Sequence, residues 1–122
     1  MTLTLTPDVL RAAYDFLRVT QPFNRWKLPL GEEVGFAVTR DRNKYGEHRF
    51  SVGIHTIAIS GGRVGHTSSL MAVMAHEMAH VAQEVGKTAT YGVLHNADFG
   101  RRAKMVCRRH GFDSLDFAYG VA

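Results

Sequence analysis

Residues 75–83 read AHEMAHVAQ, which places two histidines four positions apart with a glutamate directly after the first. On an α-helix, positions i and i+4 share a face about 5–6 Å apart, so His76 and His80 can reach one metal ion. Imidazole nitrogens at about 2.0–2.1 Å are common Zn²⁺ ligands. Glu77 lies about 100° round the helix, where its carboxylate can reach a water held by the metal. The pattern predicts a zinc site that hydrolyses peptide bonds, as in metalloproteases.

A third ligand is expected, because zinc sites that do chemistry combine three protein ligands with one open position. His95 is the favoured candidate, since it ends the loop after this helix and precedes another helix that can pack against it. His66 and Asp98 are alternative third ligands. The competing interpretation is a helix that carries histidines on its surface and binds no metal.

Other residues are candidates for supporting roles. Tyr91, in the loop before the third histidine, can donate a hydrogen bond to a developing oxyanion, although such tyrosines more often only pack. Gln83, one turn after the motif, either lines the same face or is solvated. Arg101, Lys104 and Arg108 share one face of the last helix, which suits weak contact with nucleic-acid phosphates, although a solvated polar face explains the same pattern.

Hydrophobic periodicity and capping residues predict the elements that position these side chains. A first helix is expected over 6–19. From Glu33 the pattern alternates with period two at Val34, Phe36 and Val38, which predicts a strand. Residues 40–48 are expected to form a turn, and 49–60 continue as one bent strand or two with a break at Gly53. A helix over about 70–85 carries the metal motif, and a last helix covers 98–110.

The order helix, small antiparallel sheet, helix, loop, helix is typical of an α+β domain. The 122 residues fit a single domain over the whole chain, and 45% apolar residues are enough for a core. Within that domain, the extended segment Ile54–Ser60 is expected to pair with the backbone of a substrate peptide.

Composition predicts where such a domain works. The single cysteine, Cys107, cannot form an internal disulfide and suits a reducing compartment. The N-terminus lacks a basic start followed by an apolar run, and no apolar stretch approaches the roughly 18 residues that span a bilayer. These features favour an intracellular, cytoplasmic protein with no membrane association. The net charge of +4 adds only slightly to the case for a nucleic-acid partner.

Residues 76–113, HEMAHVAQEVGKTATYGVLHNADFGRRAKMVCRRHGFD, resemble the catalytic core of the SprT-like zincins, the family that includes Spartan. In that family HExxH is followed by a loop of similar length, here 81–94, and then by a histidine that opens a segment of the form H-G-x-x-F. Asn96 stands where glycine is usual. The upstream segments NKYGEHRF and IHTIAIS are similar to the strands that precede the motif in the family.

The resemblance implies a minimal zincin-like fold, zinc bound by His76, His80 and His95, Glu77 as general base, and a protein or peptide as substrate. Larger relatives also carry a zinc ribbon that recruits DNA, which one cysteine cannot build. The rival hypothesis is a zinc-stabilised module that binds nucleic acid or protein and hydrolyses nothing. Glu77 argues against that rival, because a purely structural zinc site has no need of a carboxylate there.

Overall fold

Three helices and a three-stranded sheet form the part of the chain that the computed structural model describes, residues 4–64, 67–113 and 117–118. The helices are α1 (Pro7–Arg18), α2 (Thr67–Gly86) and α3 (Ala97–His110). The strands are β1 (Gly35–Thr39), β2 (Gly46–Ser51) and β3 (Ile54–Ser60). The predicted α+β class is confirmed.

The sheet has the strand order β1-β3-β2, and it is mixed. β2 and β3 form an antiparallel hairpin whose turn, at Val52 and Gly53, has positive φ angles at both residues. β1 pairs with β3 in parallel, so the prediction of an antiparallel sheet is wrong for this strand. β3 takes the central position because Ile57 and Ile59 are fully buried there.

The central position of β3 also corrects the predicted substrate contact. Both hydrogen-bonding edges of β3 are occupied, one by β1 and the other by β2. A substrate backbone therefore cannot pair with Ile54–Ser60 unless the sheet opens. β2 is an edge strand that packs against α2, the helix that carries the motif. A substrate peptide can therefore pair with the outer edge of β2 instead.

Helix α2 lies at the centre of the molecule. Every side chain from Ala72 to Gln83 is buried, which requires neighbours all round the helix. α1, α3, β2 and β3 supply these neighbours. The helix begins at Thr67 rather than near residue 70, and Lys87 follows it with a φ of 57°. No helix in the described part of the chain is both long and apolar enough to cross a bilayer.

Helix α1 covers one side of this core with a buried face made of Leu10, Ala13, Tyr14 and Leu17. The side chain of Thr6 caps the helix by accepting a hydrogen bond from the backbone N–H of Val9 at 3.2 Å. The hydroxyl of Tyr14 donates to the carbonyl of Pro29 at 2.6 Å, which attaches the connector after α1 to the helix.

Candidate metal centre

Three histidines meet between α2 and the start of α3. The candidate ligand atoms of His76, His80 and His95 all lie within 4.8 Å of one another. Their ring centres are 5.0–5.3 Å apart in all three pairs. Imidazoles on one tetrahedral zinc, with Zn–N near 2.0–2.1 Å, have ring centres roughly 5 Å apart. These three residues can therefore hold a metal ion, as the sequence predicts.

Neighbouring groups fix the orientation of these rings. Nδ1 of His76 lies 3.1 Å from the carbonyl oxygen of Phe117. A proton on Nδ1 is donated to that oxygen, and the ring then presents Nε2 to a metal. Phe99 packs against all three histidines, at 4.5 Å from the ring centres of His80 and His95 and 4.9 Å from that of His76. The cluster thus has an apolar floor and a polar anchor.

Glu77 is fully buried beside this cluster. Neither carboxylate oxygen forms a hydrogen bond with any residue that the structure describes. Burial raises the pKa of Glu77 well above its ordinary value; Glu47 raises it further, while Lys44 lowers it. Gly46, the first residue of β2, passes so close that a Cβ there would lie 3.2 Å from Oε2 of Glu77. The carboxyl group is thus enclosed and ready to take up a proton.

A cavity of about 370 Å³ opens beside the cluster, with His80 in its lining. β2 contributes His48 and Phe50 to this cavity, and the loop between α2 and α3 contributes Val93 and Leu94. Phe50, Val93 and Leu94 are also exposed to solvent. The cavity is wide enough for side chains of an extended peptide and lies next to a candidate metal ligand.

His48, one of the other histidines that could in principle be a ligand, lines this cavity instead of joining the three candidate ligands. Its Nε2 lies 2.9 Å from Nδ1 of His55, and its ring lies parallel to that of His80 with 6.2 Å between centres. Burial, followed by the nearby His55 and His80, lowers the pKa of His48 to about 3, so this ring is neutral at pH 7. Alternation along β2, which puts His48 on the same face as Phe50, is the signal that could have found it.

Of the remaining predicted site residues, those that the structure describes do not join the three histidines. The side chain of Tyr91 is fully exposed and is absent from the lining of the cavity, so its oxyanion role stays a prediction without structural support. His66 lies outside the described residues. Asp98 is in the first turn of α3, where it binds neighbouring side chains rather than joining the histidines.

The predicted phosphate contacts on α3 are in different environments. Arg101 forms an ion pair of 2.8 Å with the acid in the first turn of the helix, whereas Lys104 is exposed. Arg108 lines a second cavity, of about 430 Å³, together with Arg25 and Arg109. Among the predicted phosphate contacts, Lys104 and Arg108 are therefore exposed, and Arg108 is grouped with two further arginines at the C-terminal end of α3.

Next to the third histidine, hydrogen bonds connect side chains from α2, from α3 and from the loop between these two helices. Gln83, which is buried rather than solvated, donates from Nε2 to Oδ1 of Asn96 at 2.7 Å. The same oxygen caps α3 by accepting from the backbone N–H of Phe99 at 3.0 Å. Nδ2 of Asn96 donates to the carbonyl of Thr88 and to Oγ1 of Thr90, at 2.9 Å each.

Asp98 extends this network. Its carboxylate accepts hydrogen bonds from Oγ1 of Thr88 at 2.6 Å and from Arg102 and Arg101 at 2.8 Å each. Burial alone would raise the pKa of Asp98, but the hydrogen bonds from Thr88, Arg102 and Arg101 outweigh it and hold that pKa well below its usual range. Asp98 is therefore a fixed anion at neutral pH.

Comparison with protein families and curated proteins identified no relative of this chain. The sequence matches no model of a known protein family, and no curated protein matches it at a significant level. The likeness to the SprT-like zincins rests on the motif, its spacing and the segment after the third histidine. The arrangement of the three histidines and Glu77 therefore carries the functional argument.

Proposed function

We propose that this protein is a zinc-dependent metallopeptidase of the SprT-like type. The observation that carries the proposal is the cluster of His76, His80 and His95, with ligand atoms within 4.8 Å of one another and Glu77 buried beside it. Burial lowers the pKa of His95, which favours the neutral imidazole that a metal requires. Three nitrogen donors with no fourth in the described cluster suit a catalytic zinc. Zinc bound there supplies a Lewis acid that polarises a carbonyl and lowers the pKa of water to about 7.

Glu77 is the general base in this proposal. Its carboxylate accepts the proton of the attacking water and returns it to the leaving amine. The raised pKa helps this step, because a base whose pKa lies nearer the working pH both accepts and releases a proton readily. Burial in the middle of α2 holds the carboxylate in place while His76 and His80 project from the same helix.

The substrate is an extended segment of protein or peptide. The cavity beside His80 is lined on one side by β2, an edge strand. Backbone hydrogen bonds along that edge bind a peptide without much regard for its side chains. The loop residues Val93 and Leu94 on the other side provide apolar contact for a substrate side chain.

The proposal is tested with three proteins: the parent, His95→Ala and Glu77→Gln. Elemental analysis is expected to find about one zinc per chain in the parent and in Glu77→Gln, and a sharp loss in His95→Ala. Labelled, unfolded casein serves as substrate. Glu77→Gln keeps the size and shape of the side chain but cannot accept the proton, so cleavage should fall by roughly 10²-fold or more.

Each departure from this result has a different meaning. Full zinc occupancy in His95→Ala makes another residue the third ligand. Equal cleavage by the parent and Glu77→Gln contradicts the role of Glu77. A parent that binds zinc while neither it nor Glu77→Gln cleaves any unfolded protein supports the zinc-stabilised binding module instead.

A further inference from the structure

The third histidine is held differently from the other two. His76 and His80 are buried in the middle of α2, whereas His95 is exposed and ends the segment 87–96 that joins α2 to α3. A ligand on a loop binds a metal tightly only if other contacts hold the loop within about 0.5 Å of the required position. The chain must therefore contain contacts that fix His95 before the metal arrives.

We infer that Gln83 and Asn96 form a latch that positions His95 for metal binding, so that both are positioning residues of the metal site. This inference rests on the proposed zinc site. Gln83 follows His80 by one helical turn, and Asn96 is the residue directly after His95. The 2.7 Å hydrogen bond between their side chains thus connects the helix that carries two ligands to the residue beside the third.

The latch also closes the loop on itself. Nδ2 of Asn96 holds the loop at Thr88, where the loop begins, and at Thr90. The hydroxyl of Thr88 is in turn held by Asp98, at 2.6 Å. Both ends of the loop are thus attached to the same few side chains, which lie between α2 and the first turn of α3. With those contacts made, the position of His95 is set by α2.

Asn96 has two roles that belong to different atoms. Oδ1 caps α3 and accepts the hydrogen bond from Gln83, whereas Nδ2 holds the loop. Aspartate at this position keeps an oxygen acceptor and is as good an N-cap as asparagine, but it cannot donate to Thr88 or Thr90. Asn96→Asp therefore separates the loop contacts from the cap.

Zinc affinity tests the latch without need of a substrate. The dissociation constant for Zn²⁺ is measured by competition with a chromogenic chelator for the parent, Asn96→Asp and Gln83→Met, and the melting temperature of each metal-free protein is recorded. Arg101→Gln is the matched control, since it removes a hydrogen bond to Asp98 from an exposed side chain outside the latch. We expect Asn96→Asp and Gln83→Met to weaken zinc binding roughly 10- to 100-fold, the range found for outer partners of metal ligands, and the control to bind as the parent does.

The outcomes are distinct. Weakened binding in Asn96→Asp with a metal-free melting temperature close to that of the parent supports positioning, because loss of the cap alone would lower stability and leave the metal site intact. Parent-like zinc affinity in both latch variants overturns the inference and leaves the proposed function standing. An equal loss in Arg101→Gln also overturns it. A parent that binds no zinc overturns the proposed function, and the inference with it.

Discussion

Glu77 and Asp98 are two carboxylates whose surroundings move their pKa values in opposite directions. Burial raises the pKa of Glu77, with no hydrogen bond from a described residue to stabilise the anion. Asp98 receives hydrogen bonds from Thr88, Arg102 and Arg101, which lower its pKa despite its burial. One carboxylate is therefore suited to proton transfer and the other to permanent charge, a division of roles that environment alone can produce.

The charge of Asp98 leads to a prediction about pH and stability. Its folded pKa is below the unfolded value of about 3.9, so its contribution is complete above that pH and is lost as pH falls toward the folded pKa. At pH 7 the free energy of unfolding of Asp98→Asn, measured by urea denaturation, should be about 1–3 kcal/mol lower than that of the parent. This difference should shrink below about pH 4. Asp8→Asn, a substitution of an exposed acid in the first turn of α1, should show a much smaller difference. A loss in Asp98→Asn that does not vary with pH would contradict this account.

The sequence predicted the residues of the histidine cluster because the directions in which their side chains project follow from helical geometry. His76, Glu77 and His80 are fixed relative to one another by 3.6 residues per turn, and His95 was the histidine that closed the next loop. Gln83 was left open between the site and solvent. Its hydrogen bond to Asn96 depends on the path of the loop after α2, and no local spacing encodes that path.

At the scale of elements, the contact between β2 and α2 determines the surroundings of Glu77, the proposed general base. A Cβ at Gly46 would lie 2.7 Å from Cγ1 of Val73 as well as 3.2 Å from Oε2 of Glu77. Only glycine allows the strand to pass so close to the helix. The start of β2 is thus fitted to the carboxylate that it covers.

Gly46→Ala should therefore separate the strand from the helix. We expect a loss of about 1–3 kcal/mol in the free energy of unfolding, the usual cost of overpacking, measured by urea denaturation. Cleavage of casein should fall as well, while zinc content stays near that of the parent, because the atoms nearest to the added Cβ belong to Val73, Glu77 and Ala58 and not to a candidate ligand. Gly100→Ala on α3 is the control: its Cβ meets no atom within 4 Å, so it should stabilise by up to about 1 kcal/mol. Stability in Gly46→Ala equal to that of the parent would contradict the packing argument.

The elements themselves were largely predictable, whereas their arrangement was not. Alternation predicted β1 and β3, and Gly53 did mark the turn between β2 and β3. The prediction was wrong for the start of β2, because residues 46–48 belong to the strand and had been assigned to a turn. The parallel pairing of β1 with β3 depends on which strand takes the central position. Periodicity within a strand does not report on its neighbours, and so the sheet was predicted to be antiparallel.

At the scale of the whole molecule, one group of three arginines lies away from the three histidines. Arg25, Arg108 and Arg109 line the 430 Å³ cavity at the C-terminal end of α3. Along the helix axis, Arg108 lies about 18 Å from Asn96. A chain with a net charge of +4 thus presents three guanidinium groups on a surface that is separate from the cavity beside His80.

This separation predicts which arginines contact phosphate if the protein binds DNA. Binding to single-stranded DNA is expected to be weak and to fall as salt rises, with a slope of about 0.7 per phosphate contact. Arg108→Gln with Arg109→Gln should flatten the slope more than Arg101→Gln with Lys104→Gln, because Arg101 is already paired. Both pairs remove two charges from one helix. Equal effects would contradict the assignment, and no binding at low salt would leave all these residues as a solvated face.

The hydrogen bond from His76 to Phe117 has a consequence for the protein during its synthesis. The two residues are 41 positions apart in the chain, and the ribosome adds about 5–20 residues per second. About 2–8 s therefore pass between the synthesis of His76 and the synthesis of the carbonyl that orients its ring. Until residues 97–110 have been added, α2, a helix that is buried on all sides in the folded protein, lacks the cover of α3. The proposed zinc binding and peptide cleavage would then be among the last properties that the nascent chain acquires.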